Sequence, residues 1–224
     1  MRLLGYPLSR RGLLAASALS TFAVLGARTG LAAPSAATAD HDAAALVAKP
    51  VALPDMVLGS ASAPVTIVEY SSLTCPHCAD FAANVFPMLQ SKYIDPGKVR
   101  FVSREFPLDV KAAAGSMLAR CAANGDASKY FDATMMLFKQ QQELVEHTTE
   151  TLTAIGAKFG MAQPAVEACV KDDATLDKLQ ADQNFAYGQL KVDATPTFFI
   201  NGEKVKGAIS FEELEAKLAP LLKR

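Results

Sequence analysis

Cys75-Pro76-His77-Cys78 sets two thiols two residues apart, close enough to close one small disulfide across the first turn of a helix. The upstream sulfur in such a turn faces free backbone N–H groups and the positive end of the helix dipole. Both favour thiolate over thiol, and the thiolate is the reactive species. The tetrapeptide therefore reads as a dithiol built to exchange electrons, with Cys75 the nucleophile and Cys78, one turn deeper, the shielded resolving thiol. Pro76 suits the first helical position, where a missing N–H costs nothing. His77 adds a partial or full positive charge and an N–H donor beside the Cys75 thiolate. Stabilising the reduced, ionised form makes the disulfide a stronger oxidant, so Pro-His between the cysteines argues for a donor of disulfides.

Such a dithiol needs a rigid platform. The apolar run Val65 to Tyr70 reads as a buried strand directly before it, and the stretch from Ala79 to about Tyr93 reads as a helix broken by Asp95-Pro96-Gly97. Val99 to Phe106 reads as a second strand ended by Pro107, and the helical crossover implies parallel pairing. Glu69 is the anomaly in the first strand, because its neighbours Ile67, Val68 and Tyr70 suggest cover on both faces. Six residues before Cys75, it is placed to lie beneath the disulfide and pass a proton to or from Cys78; Arg104 and Glu105 are further candidates for that relay. The plainer reading is an acid that reaches solvent at the strand end.

From Asp109 to about Leu190 the pattern is helical. Helices are expected over Val110–Ala123, Ser128–Gln141 and Thr149–Phe159, then from Gln163-Pro164, and from a cap at Asp173 or Thr175 towards Tyr187. Thr197–Ile200 then meets Glu203–Val205 across Asn201-Gly202, a strong hairpin signal, and Ser210 with Glu213 caps a last helix, Phe211–Leu222. These elements give an α/β fold: a mixed central sheet flanked by helices, with an inserted α-helical domain.

The chain of 224 residues carries 22 Lys and Arg against 23 Asp and Glu, so its net charge of -1 gives no sign of a nucleic-acid partner. Residues 1–33 read as an export signal: Arg2, Arg10 and Arg11, then the apolar Gly12 to Ala27, then small residues. The paired arginines fit a twin-arginine signal or an ordinary one, with cleavage after Ala33 or Ala39. Residues 34–54 read as a flexible leader. Export places four cysteines in an oxidising compartment, where disulfides outnumber metal sites, although four cysteines allow three connectivities. Cys121 and Cys169 fit a second disulfide or buried free thiols. A zinc site drawing on Cys121, Cys169, His41 or His147 lacks a second Cys-x-x-Cys to complete it, so no metal and no cofactor are expected.

Taken together, the Cys75-Pro76-His77-Cys78 helix start, the helical insertion and the Thr195-Pro196-Thr-Phe-Phe-Ile-Asn-Gly segment resemble the DsbA-like branch of the thioredoxin superfamily. The resemblance covers about Asp55 to Leu222. It implies a thioredoxin fold split into residues 55–108 and 191–224 around the insertion, 109–190. It also implies a buried acid at Glu69, a disulfide between Cys121 and Cys169, and a cis peptide before Pro196. On the residues alone, a trans proline marking a strand boundary is the commoner outcome. A cis bond would leave the Thr195 backbone free to pair with an extended polypeptide substrate. The activity implied is periplasmic disulfide donation to unfolded exported proteins with free thiols, by a monomer recharged by a membrane quinone-linked partner of the DsbB type. Thr195, where some oxidases carry Val, leaves a reductase or isomerase as the first alternative. A non-redox folding helper with a structural cysteine pair is the second.

Overall fold

The computed structural model describes residues 44–49 and 51–223, so the expected export signal lies outside the described residues. Five strands form one sheet in the order β1-β3-β2-β4-β5, comprising β1 (Met56–Leu58), β2 (Val65–Ser71), β3 (Val99–Glu105), β4 (Thr197–Ile200) and β5 (Glu203–Lys206). Only β2 and β3 run parallel, as their helical crossover requires; every other neighbouring pair is antiparallel.

Alternation along the strands gives the sheet two apolar faces. Val65, Ile67, Val99, Phe101, Phe198 and Ile200 point to the larger core, which is shared with the crossover helix and the insertion. Val68, Tyr70, Val102 and Phe199 point to a second core with Val47, Ala186, Leu190 and Val192. Cover on both faces explains why the central strands read as nearly continuous apolar runs.

The crossover begins at α2 (Pro76–Asp80) and continues unbroken to Ile94. It passes through a wide π-type turn (Phe81–Val85), α3 (Phe86–Leu89) and a second π-type turn (Gln90–Ile94). The insertion comprises α4 (Val110–Ala123), α5 (Ala127–Lys139), α6 (Gln141–Glu146), α7 (Thr148–Lys158), α8 (Gln163–Val170) and α9 (Asp173–Gly188). Asp109, Asp126 and Asp172 cap α4, α5 and α9 by accepting from first-turn N–H groups. The C-terminal helix α10 (Phe211–Leu222) starts with the expected capping box at Ser210 and Glu213.

Three differences from the sequence reading stand out. The leader expected to be flexible over 34–54 is ordered in its last part: residues 44–47 form a helical turn, α1, and bury Val47 on the sheet, while Leu53 is buried nearby. Apolar side chains at those two positions hold the segment down. The short edge strand β1 was not foreseen, because three residues are too few to show a period. Ser128–Gln141 was expected as one helix, but α5 ends at Lys139 and α6 starts afresh at Gln141.

Cys121 on α4 and Cys169 on α8 are joined as a disulfide, with Cα atoms 6.0 Å apart and 48 residues between them in sequence. Cross-linking a loop of that length restricts the unfolded chain by roughly 4 kcal/mol in the entropic account, and measured values commonly fall to about 2. Replacing both cysteines by Ala is expected to lower stability by about 2–4 kcal/mol. Urea unfolding followed by circular dichroism reads that loss directly.

Candidate active site

Cys75 is the N-cap of α2, in extended conformation, with Pro76 as the first helical residue. The Cys75 carbonyl accepts from Cys78 N and Ala79 N, both at 3.1 Å, so its sulfur sits where the first N–H groups of the helix are unsatisfied. Both cysteines are free thiols in the structure. Cys78 is fully buried and Cys75 only 4% exposed, whereas Pro76 and His77 lie at the surface.

The two thiols are driven in opposite directions. Cys75 is lowered from an ordinary 9.0 to about 5, first because the Cys78 thiol donates to its sulfur, then against the cost of burial, and then by the Thr195 side chain and the backbone N–H groups of Cys78 and His77. Cys78 is pushed far above the usual thiol range, first by donating to Cys75, then by burial and by the charge of Glu69. His77 lies at the surface, and its backbone N–H is among the groups that favour the Cys75 thiolate.

Thr195 and Pro196 lie against this pair. The Thr195–Pro196 peptide is cis, and the Cys75 thiol donates to the Thr195 carbonyl oxygen at 3.2 Å. Thr195 Oγ1 is buried and has no hydrogen-bond partner among the described residues. Ionising Cys75 gives that hydroxyl an acceptor, which accords with the Thr195 side chain favouring the thiolate.

Glu69 is buried, at 6% exposure, in the middle of β2 rather than at a solvent-facing end. Burial, with the negative charge of Cys75 as a second cause, raises its carboxyl from 4.5 to about 8. In register across the parallel pair Glu69 meets Ser103, and Ser71 meets Glu105. All four therefore share the sheet face that carries the larger core. They line one cavity of about 20 Å³ with Ser116, Tyr130 and Thr134 from the insertion, room for a single water. Tyr130 donates to Glu105 Oε1 at 2.9 Å, and Arg120 grips both Glu105 oxygens at 2.6 and 2.7 Å. Glu105 thus lies on the Glu69 side of the sheet. Arg104 points to the other face, where Asp55 and the Tyr70 hydroxyl hold it.

Sequence reasoning missed Ser103, Tyr130 and Arg120. Parity was the available signal: in parallel register, residues 69 and 71 share a face with 103 and 105. Nothing in the sequence pairs Tyr130 or Arg120 with that face.

A raised carboxyl costs stability increasingly as pH rises from its unfolded value towards its folded one, and the full cost applies above the folded value. Glu69→Gln is therefore expected to gain stability over the parent from pH 4.5 upward and to level off near pH 8. The gap should grow by up to about 1.4 kcal/mol per pH unit and reach on the order of 5 kcal/mol. Denaturant melts of both proteins across that range test it; a pH-independent gap would place Glu69 in contact with water.

Among the described residues no group of three His, Cys, Asp or Glu could hold a metal ion. No helix among them is long and apolar enough to cross a membrane.

Comparison with known proteins follows this geometry. A family model described as Thioredoxin matches residues 52–219. The crystal structure of Wolbachia pipientis alpha-DsbA1 superposes with a TM-score of 0.71 at 30% identity, covering 83% of this chain and 96% of that one. Disulfide bond formation protein D of Bacillus subtilis is 27% identical over 173 residues, covering 75% of this chain and 77% of the relative. A Rickettsia bellii protein whose provisional name is protein-disulfide oxidoreductase is 38% identical over 150 residues, 66% of this chain. The chain spans only 57% of that relative's length.

Proposed function

This chain belongs to the DsbA-like branch of the thioredoxin superfamily, and we propose that it is a periplasmic thiol–disulfide oxidoreductase that introduces disulfides into exported proteins. The observation that carries the reading is the asymmetry of the pair: a Cys75 thiol held near 5 beside a Cys78 thiol pushed far up. A disulfide donor needs that asymmetry, because its reduced form must be the stable one.

The reaction begins from the Cys75–Cys78 disulfide. A substrate thiolate attacks Cys75 Sγ, the Cys75–Cys78 bond breaks, and its electron pair goes to Cys78. Cys78 cannot remain ionised and takes a proton, for which Glu69 beneath it, protonated at neutral pH, is the donor. A second substrate thiolate attacks the substrate sulfur of the mixed disulfide, and Cys75 departs as a stable thiolate. Two substrate thiols are oxidised, two electrons reside on the dithiol, and Glu69 is reprotonated from water. Thr195 and Pro196, against Cys75, supply the ledge on which an extended substrate pairs. Restoring the disulfide requires an external acceptor, and a membrane quinone-linked partner of the DsbB type supplies it. The export signal over residues 1–33 directs the chain to the periplasm.

Mixing the oxidised protein with a reduced, unfolded, two-cysteine polypeptide tests this reading. One substrate disulfide should form per dithiol consumed, with the protein recovered reduced. Net reduction of an oxidised substrate in a glutathione buffer of periplasm-like poise would favour the reductase alternative instead.

A further inference from the structure

The active-site loop is tied to the insertion by two side chains. Asp109, which caps α4, accepts from the Thr74 hydroxyl at 2.7 Å. The second is Gln141, at the break between α5 and α6. Its Nε2 donates to the Leu73 carbonyl at 2.8 Å and to the Cys75 carbonyl at 3.0 Å. Both partners are acceptors, so the amide is fixed with its nitrogen towards the loop. Leu73 is itself buried, and its side chain packs so tightly on α4 that a Cβ added at Gly115 would come within 2.8 Å of it. Among the described residues, the Leu73 carbonyl accepts from Gln141 alone.

Carbonyl oxygens carry partial negative charge, and these two, one two residues upstream of Cys75 and one its own, lie close to the sulfur that must hold a full one. An N–H engaged on a carbonyl cancels part of that dipole, and beside the buried Cys75 the effect of these half-buried contacts is only partly screened. We propose that Gln141 is a positioning residue for the reaction: by engaging the Leu73 carbonyl and the nucleophile's own, it makes the helical insertion part of what keeps Cys75 ionised and the dithiol oxidising. The break between α5 and α6 serves this contact, since Gln141 opens the new helix there. This inference deepens the proposed function and rests on it for its meaning. The property tested, ionisation of Cys75, is measurable independently.

The experiment is a pH titration of the reduced full-length protein by the ultraviolet absorbance of the thiolate, alongside thermal melts. Gln141→Leu and Gln141→Met keep the bulk and remove the donor. Gln141→Glu keeps the shape and replaces the nitrogen with oxygen. Leu and Met should raise the Cys75 pKa by about half a unit to one unit, roughly three- to tenfold less thiolate below the transition, and Glu should raise it further. The equilibrium constant for oxidising glutathione should fall by the same factor. Gln183→Leu is the control. Gln183 Nε2 donates to the Pro107 carbonyl at 2.7 Å, an equivalent tie between insertion and sheet that does not touch the Cys75 loop. It should lower thermal stability and leave the titration unmoved. Gln141 variants that melt earlier but titrate like the parent would overturn the proposal, as would a Gln183→Leu shift of the same size. A parent protein that fails to oxidise a reduced peptide, while the Gln141 shift is present, would instead overturn the functional reading.

Discussion

Cys75→Ser is expected to lose disulfide donation by at least about a thousandfold, since removing a nucleophile leaves only binding and positioning behind. Cys78→Ala is expected to fail differently. With Cys75 intact, ionised near pH 5 and no resolving thiol beside it, each mixed disulfide formed with substrate persists. The two variants therefore separate the roles that burial assigns, with Cys78 fully enclosed and Cys75 at the N-cap. Expressed in the periplasm, Cys78→Ala should accumulate one-to-one adducts that dissolve on reduction, and Cys75→Ser should give none. Identifying what is trapped would also name the substrates. Undiminished donation by Cys75→Ser would reassign the pair as structural and favour the folding-helper alternative.

The second large effect concerns stability and pH. The folded Cys75 value of about 5 lies below its ordinary 9.0, so the folded reduced state binds fewer protons than the unfolded state between those values. A group depressed in this way stabilises the fold fully above its unfolded value and loses that contribution as pH falls through the folded one. The stability of the reduced protein over the oxidised should accordingly shrink from pH 9 to pH 5, with a slope of up to about 1.4 kcal/mol per pH unit. Glu69 works in the opposite sense over much of this range, but its main cause is burial, which both redox forms share. The difference between the forms thus isolates Cys75, and repeating the melts with Glu69→Gln removes what remains. A reduced form that is less stable than the oxidised at pH 7 would mean that the protein does not favour its dithiol.

Much of this arrangement was legible because it rests on local chemistry. The strand before Cys75, the helix after it and the Asn201-Gly202 hairpin each carry a signal within a few residues. Glu69 showed itself by contrast, one acid in an apolar run. What escaped depends on distance. Whether Glu69 meets solvent depends on which face of β2 the insertion covers, and that is set by packing far along the chain. Gln141 looks like any exposed glutamine in a polar Gln-Gln-Gln run, and only the meeting of α5 and α6 beneath the loop brings it to Leu73 and Cys75. The helical turn at residues 44–47 was lost in an Ala-rich leader, where only Leu46 and Val47 of the turn pack on the second core.

The central claim is that this dithiol prefers to be reduced. Equilibrating the protein with graded ratios of reduced and oxidised glutathione, and counting free Cys75 and Cys78 thiols, gives its reduction potential. The account predicts a value near that of strongly oxidising proteins, about −120 mV, and far from the thioredoxin value of about −270 mV. A result close to thioredoxin would contradict it and return the protein to the reductases.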